Sequence, residues 1–100
     1  MPIAGPVTVI IPSFNRARTL ARALHSVINQ TRPADQIVVV DDGSTDDTAG
    51  LIRERFPQVK YLFQSNRGVS AARNRGIRYV GQQSSAQTTG HNSLAWIALL

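Results

Sequence analysis

The chain has 100 residues, of which 42% are hydrophobic, and it contains no cysteine; this composition fits one modest globular domain and excludes disulfides and thiolate metal sites. Its 11 basic and 6 acidic residues give a net charge of +5, which attracts phosphate-bearing ligands or nucleic acid. No apolar run approaches the roughly 20 residues of a bilayer span, and the first six residues lack the pattern of a signal peptide.

Strands and helices are predicted to alternate along the chain. Short runs rich in Val and Ile, or in aromatic residues, predict three strands: Val7–Pro12, Gln36–Val40 and Val59–Gln64. Apolar residues at helical spacing predict three helices, at about Thr19–Gln30, Thr45–Phe56 and Val69–Val80. The apolar run Leu94–Leu100 is interpreted as a fourth strand.

Finer features accompany the second helix. Ser44 followed by Asp47 resembles a capping box at its start. Its inward-facing residues are predicted to be Ala49, Ile52 and Phe56.

The third helix has a clear stripe at helical spacing, formed by Val69, Ala72, Arg73, Gly76, Ile77 and Val80. Glycine inside a helix is unfavourable, so Gly76 predicts close packing of this helix on the sheet. The polar stretch 81–93 that follows is interpreted as a flexible surface loop or insertion.

The alternation predicts an α/β fold with a three-layer, Rossmann-like parallel sheet and helices on both faces. All strand-to-helix loops then meet at the carboxyl edge of the sheet, where open α/β sheets bind ligands. The residues that this arrangement brings to that edge are Phe14, Asn15, Arg16, Asp41, Asp42, Asn66 and Arg67, with Arg73 one turn into the third helix.

Paired aspartates directly after a buried strand need an explanation. Successive residues point to opposite sides, so one of Asp41 and Asp42 is free to face the crevice while the other braces the loop. A carboxylate in the crevice would accept a hydrogen bond from a base N–H or a ribose hydroxyl. The alternative is that both aspartates only accept hydrogen bonds from backbone N–H groups at the start of the second helix.

The aromatic and basic residues of these loops leave alternatives open as well. Phe14 either stacks on a nucleobase or packs as a hydrophobic staple for the first helix. Arg73 either contacts phosphate or pairs with one of the two aspartates. Arg75 and Arg78 lie off the stripe of the third helix and are predicted to be solvated.

Three segments in a fixed order resemble a known family: "VTVIIPSFNRARTLARALHSVINQT", "IVVVDDGSTDDT" and "NRGVSAARNRGIRYV". They are similar to the N-terminal half of a family 2 glycosyltransferase of the GT-A fold. The resemblance covers Val7 to Val80 and returns in "WIALL" at the end. It implies transfer of a sugar from a nucleotide-diphosphate donor, in reactions such as polysaccharide biosynthesis.

The resemblance also implies roles for individual residues. The family's first loop, which lines the nucleotide pocket, corresponds to Pro12, Phe14 and Asn15. Asp42 corresponds to the carboxylate that meets the base, typically uracil, and Asp41 supports the same loop. The expected donor is therefore a UDP-sugar.

Further implications concern the diphosphate and the metal. Arg67 and Arg73 fall in the segment that approaches the ribose and diphosphate in the family. The acidic DxD-type motif that binds Mn²⁺ or Mg²⁺ would follow Leu100, so its ligands are absent from these 100 residues and no catalytic residue is assigned. We therefore expect a truncated N-terminal portion of an inverting glycosyltransferase that is inactive alone.

Other functions and partners complete the expectations. The second hypothesis is a nucleotide-binding module that catalyses no reaction. The third is a basic domain that binds nucleic acid. The expected compartment is the cytoplasm, with peripheral membrane attachment of the parent protein as a variant. The apolar segment Leu94–Leu100 is predicted to mediate homo-oligomer formation, because its edge or surface would otherwise be exposed.

Overall fold

The computed structural model describes residues 7–30, 34–87 and 96–99. Strands and helices alternate as predicted, in the order β1 Val7–Ser13, α1 Ala17–Ile28, β2 Gln36–Asp41, α2 Thr48–Arg55, β3 Lys60–Phe63, α3 Val69–Gln87 and β4 Trp96–Leu99. None of these helices is long and apolar enough to cross a membrane.

The four strands form one parallel sheet in the order β3-β2-β1-β4. In its register Val7 pairs with Trp96 and Ser13 pairs with Asp41. Because every strand points the same way, the loops after β1, β2 and β3 meet at one edge, as the sequence predicted. The predicted fourth strand is confirmed for 96–99.

Both faces of the sheet are covered by helices, which confirms the predicted three-layer α/β fold. Alternate residues of β1 and β2 point to opposite faces, so each face has its own core. On one face α1, α2 and the residue that follows α2 contribute the buried residues Leu20, Leu24, Val27, Ile52 and Phe56. On the other face α3 packs through Ala72 and Val80 on Ile10, Val38 and Val40.

The capping box predicted for α2 is wrong. The helix begins at Thr48 rather than at Thr45, and Asp47 at its N-cap position makes no capping hydrogen bond with its side chain. Ser44 instead binds the neighbouring loop, so the residues before α2 are committed to loop contacts. Ile52 and Phe56 are buried as predicted, but Ala49 is exposed.

The predicted stripe of α3 is only partly correct. The helix contacts the sheet through Ala72, Gly76 and Val80, whereas Val69 and Ile77 are 51% and 40% exposed. The close packing predicted for Gly76 is confirmed, since a Cβ there would lie 2.5 Å from Ile10 Cγ2. Only glycine lets the helix approach the strand at this distance.

The polar stretch 81–93 was predicted to be a loop, but its first part belongs to α3. The helix continues to Gln87, because the segment contains no proline and its Gln and Ala residues favour helix. Polarity alone does not end a helix. The remaining part of the predicted loop, 88–93, lies outside the described residues. The predicted association through 94–100 concerns side chains outside the description, and it stays a prediction.

Candidate functional site

A cleft of about 510 Å³ lies at the carboxyl edge of the sheet. It is enclosed by the end of β1, the first turns of α1 and the turn that precedes α3. Its lining is mainly apolar, from Ile11, Pro12, Phe14, Leu20, Ala23 and Val69. The other lining residues are Ser13, Arg16, Thr19, Asp42, Asn66 and Gly68. A mostly apolar cleft with a few convergent polar groups is the usual form of a small-molecule site.

Phe14 offers an aromatic surface to this cleft. Its side chain is 44% exposed and belongs to neither hydrophobic core. It therefore does not act as a staple for α1, which was the alternative from the sequence. Aromatic rings in this position provide a face on which a planar base can stack.

Asp42 joins the end of β2 to the start of α3. Its side chain is only 4% exposed, and its Oδ1 accepts hydrogen bonds from Gln64 Nε2 at 2.9 Å and from the Arg67 backbone N–H at 2.8 Å. Its Oδ2 accepts one from the Gly68 backbone N–H at 2.9 Å. Burial acts to raise the pKa of Asp42, but these three hydrogen bonds outweigh it and lower the pKa below the ordinary value.

The two aspartates have different roles. Asp42 lines the cleft, whereas Asp41 is buried, does not line the cleft and accepts hydrogen bonds from the Ser44 backbone N–H and the Tyr61 hydroxyl. Burial, followed by the hydrogen bond to Asp41, raises the pKa of Tyr61. The alternative that both aspartates serve the start of α2 is therefore wrong, because Asp42 binds the start of α3.

Asn15 connects the first two loops of the edge. It has a φ of +49°, its backbone N–H donates to Ser44 Oγ at 2.8 Å, and its Oδ1 accepts from the backbone N–H of Thr45 at 2.8 Å and of Asp46 at 3.3 Å. It does not line the main cleft, but it lines the neighbouring hollow. Its role in this arrangement is to hold the loop that carries Phe14.

Asp46 supports the same junction from the second loop. It accepts hydrogen bonds from the Thr48 hydroxyl and from the Ala17 backbone N–H at the start of α1. The hydrogen bond from the Thr48 hydroxyl lowers the pKa of Asp46. Burial acts in the opposite direction, and the hydrogen bond from the Ala17 N–H adds to the lowering. The sequence analysis did not single out Asp46 or Thr48. The polar run "GSTDDT" was the available signal, because such residues hydrogen-bond nearby backbone.

The two predicted arginines lie outside the cleft. Arg67 donates its backbone N–H to Asp42, and the residue lines a separate groove. Arg73 is half-buried, and its Nε is buried without a hydrogen-bond partner. The aspartates take their hydrogen bonds from other groups, so the suggested pairing of Arg73 with Asp41 or Asp42 is not formed in the described part of the chain.

Ser13 was missed in the sequence analysis. It lines the cleft, it is buried, and its Oγ has no hydrogen-bond partner among the described residues. Its place directly after Pro12 at the end of β1 was the available signal.

Comparison with known proteins decides the family. The chain matches Glycosyl transferase family 2 over residues 8–86. The chain belongs to this family. The predicted resemblance is thereby confirmed.

Similar proteins include a synthase and an uncharacterized glycosyltransferase. Chondroitin synthase from Escherichia coli is 34% identical over 84 residues, which are 76% of this chain and 12% of that protein. The uncharacterized glycosyltransferase YibD from Escherichia coli is 40% identical over 80 residues, covering 77% of this chain and 23% of that protein. The chain therefore spans less than a quarter of the length of these relatives.

A solved structure of similar fold is the mannosyltransferase PcManGT from Pyrobaculum calidifontis, in complex with GDP-Man and Mn²⁺. Its TM-score is 0.60 and its sequence identity is 33%, over 73% of this chain and 24% of that chain. This similarity supports the assignment of the present α/β sheet as part of the GT-A fold.

The mannosyltransferase structure contains Mn²⁺, which raises the question whether the described residues of this chain fit a divalent cation. Residues 7–30, 34–87 and 96–99 contain no cluster of three or more His, Cys, Asp or Glu side chains that could hold a metal ion. Asp41 and Asp42 are buried and accept hydrogen bonds within the protein. The described residues therefore do not fit a divalent cation.

A substitution at Asn15 tests the connection between the first two loops. Asn15→Ala leaves the backbone N–H groups of Thr45 and Asp46 without their acceptor. It also places alanine, whose Cβ is unfavourable at positive φ, at this position. We expect a loss of about 1–2 kcal/mol in the free energy of unfolding, measured by urea denaturation.

Asn15→Gly provides the comparison, because it removes the same side chain and tolerates positive φ. It should be no less stable than Asn15→Ala. Wild-type stability in both variants would contradict the structural role of this residue.

Proposed function

We propose that the cleft binds the nucleoside part of a nucleotide-diphosphate sugar, and that the chain is the donor-binding portion of a family 2 glycosyltransferase. The observation that supports this most directly is the presence of Phe14 and Asp42 in the same cleft. An aromatic face and a carboxylate acceptor are complementary to a planar base that carries an N–H donor.

Asp42 retains the capacity for one more hydrogen bond. Among the described residues its Oδ2 accepts only from Gly68, and a carboxylate oxygen has two lone pairs. Its lowered pKa keeps the group ionised, and therefore an acceptor, at neutral pH. We propose that this oxygen accepts the N–H of uracil, on the basis of the resemblance of the Asp41–Asp42 loop to family members that bind UDP.

The reaction proposed for the whole protein is sugar transfer. A base would take the proton of an acceptor hydroxyl, whose oxygen would attack the anomeric carbon. The bond from that carbon to the phosphate oxygen would break, and the nucleoside diphosphate would leave with the electron pair of that bond. In this reaction the residues of the described cleft bind and orient the donor. The GDP-Man complex of PcManGT supports a nucleotide-sugar donor. We propose the cytoplasm as the compartment of the whole protein.

Removing the ring of Phe14 tests nucleotide binding without disturbing the fold. Because Phe14 is exposed and outside both cores, Phe14→Ala should keep wild-type stability. Its affinity for UDP should fall by roughly five- to a hundredfold, since stacking of a base on an aromatic side chain contributes about 1–3 kcal/mol. Isothermal titration or amide chemical shifts during a UDP titration would measure the change.

Phe63→Ala is the matched control, because Phe63 is 53% exposed and does not line the cleft. It should bind UDP like the wild type. A parallel titration with GDP tests the choice of base, and tighter binding of GDP would overturn the proposal of uracil. Failure of both nucleotides to shift the signals of Phe14 and Asp42 would overturn the donor site itself.

A further inference from the structure

A second concave surface lies on the other side of the turn before α3. We call it the arginine groove; its volume is about 560 Å³, and the residues that line it include Arg67, Arg75, Arg78, Asn74, Gln64 and Ser65. It has no lining residue in common with the nucleotide cleft. The sequence analysis predicted only solvated side chains for Arg75 and Arg78.

The arginine groove carries positive charge without a compensating acid. Its lining contains three arginines and no carboxylate, and within the described residues none of the three forms an ion pair or a hydrogen bond to a carboxylate through its side chain. Asp42 accepts hydrogen bonds from Gln64 and from the backbone N–H groups of Arg67 and Gly68, but its carboxylate is buried and does not line the groove. The charge of the groove is therefore available to a ligand.

The geometry of the groove also differs from that of a freely solvated surface. Arg75 is half-buried, and its Nη1 donates a hydrogen bond to the Phe63 backbone oxygen at 2.8 Å. This contact holds one guanidinium in place and leaves its other N–H groups for a ligand. Arg75 and Arg78 are three residues apart on α3, so their side chains are neighbours on one helix face.

We propose that the arginine groove binds a phosphate group, at a site separate from the nucleotide cleft. Arginine presents a planar fork of N–H donors that matches two phosphate oxygens at once. Three arginines around one concave surface offer more N–H donors than the two oxygens of a carboxylate ligand require, which favours phosphate as the ligand. The ligand class is a phosphate monoester or diester, carried either by a soluble molecule or by a lipid headgroup.

Titration of the chain with inorganic phosphate, against sodium chloride at equal ionic strength, tests this site. Phosphate should shift the side-chain Nε–Hε signals of Arg75 and Arg78 in NMR spectra, while chloride does not. Arg78→Gln should weaken phosphate binding by about five- to tenfold. Arg53→Gln removes the same charge from an exposed position on α2, and it should leave phosphate affinity within about twofold of the wild type.

Two further arms identify the source of the phosphate and separate this site from the cleft. Vesicles of phosphatidylglycerol mixed with phosphatidylcholine should be bound through Arg78 if the ligand is a headgroup; binding of inorganic phosphate alone indicates a soluble ligand. Uridine, which has no phosphate, should shift Phe14 and not Arg78. Equal weakening by Arg53→Gln and Arg78→Gln, or identical shifts with phosphate and chloride, would overturn the proposal.

Discussion

Gly76→Val is expected to destabilise the protein by about 3 kcal/mol, measured as the free energy of unfolding in urea. A Cβ at this position would lie 2.5 Å from Ile10 Cγ2 and 3.4 Å from Val40 Cγ2. Ile10 and Val40 are fully buried and β-branched, so they have few alternative rotamers with which to move aside. The helix must therefore shift away from the sheet, which loses contacts along the whole α3 interface.

Alanine at two glycines of α3 provides a matched comparison. Gly76→Ala should destabilise by about 1–2 kcal/mol, because the steric overlap exceeds the gain in helix propensity. Gly81→Ala should stabilise by up to about 1 kcal/mol, since a Cβ there has no atom within 4 Å. Changes of the same sign in both variants would contradict the close contact between α3 and β1.

Asp42→Ala is expected to destabilise by about 3 kcal/mol or more, because it removes the acceptor of three hydrogen bonds. Two of the donors are the backbone N–H groups that precede α3, and the carboxylate also lies at the positive end of that helix. Urea denaturation measures the loss. Asp42→Asn should lie between the wild type and Asp42→Ala, since the amide can accept at one atom only.

Acid should remove the same contribution from the wild-type protein. The pKa of Asp42 is lower in the folded state than its ordinary value of 3.8, so the unfolded chain binds the proton more readily. The contribution is therefore complete well above pH 3.8 and is lost as the pH falls through 3.8 towards the lowered folded-state pKa. Asp46, whose pKa is also lowered, should lose its contribution in the same range.

The free energy of unfolding of Asp42→Asn should consequently fall less steeply with acid than that of the wild type. Glu54→Gln is the control, because Glu54 is an exposed carboxylate of α2 that accepts no hydrogen bond in the described part of the chain. It should keep the wild-type slope. A slope for Asp42→Asn that equals that of Glu54→Gln would contradict the role of Asp42.

Much of the fold was predictable from the sequence because its signals are local. β-branched runs indicated the strands, and their alternation with helical patterns indicated a parallel sheet with ligand loops at one edge. The start of α2 was not predictable, since Ser44 accepts a hydrogen bond from the distant Asn15 backbone, and Asp46 divides its oxygens between Ala17 at the start of α1 and Thr48 at the start of α2. The continuation of α3 to Gln87 was missed because polarity was interpreted as a loop.

The site was predictable to the level of the loops, and less so for individual side chains. Phe14 and Asp42 reach the cleft as expected. The two arginines do not: the turn before α3 uses the backbone of Arg67 for Asp42, and this residue lines the other groove, while Arg73 lines neither. Such a division between backbone and side chain depends on the turn geometry, which residue types alone do not specify.

The position of β1 in the sheet has a consequence for folding. β1 is the first strand of the described chain, yet it is central and pairs with both β2 and β4. Since Val7 pairs with Trp96, one side of β1 stays unpaired during synthesis until the segment of β4 has left the ribosome. Such distant pairings form slowly because long loops must close first. The nascent chain therefore exposes an apolar strand edge from the emergence of β1 until the emergence of β4, and this interval is when chaperone binding would protect it most.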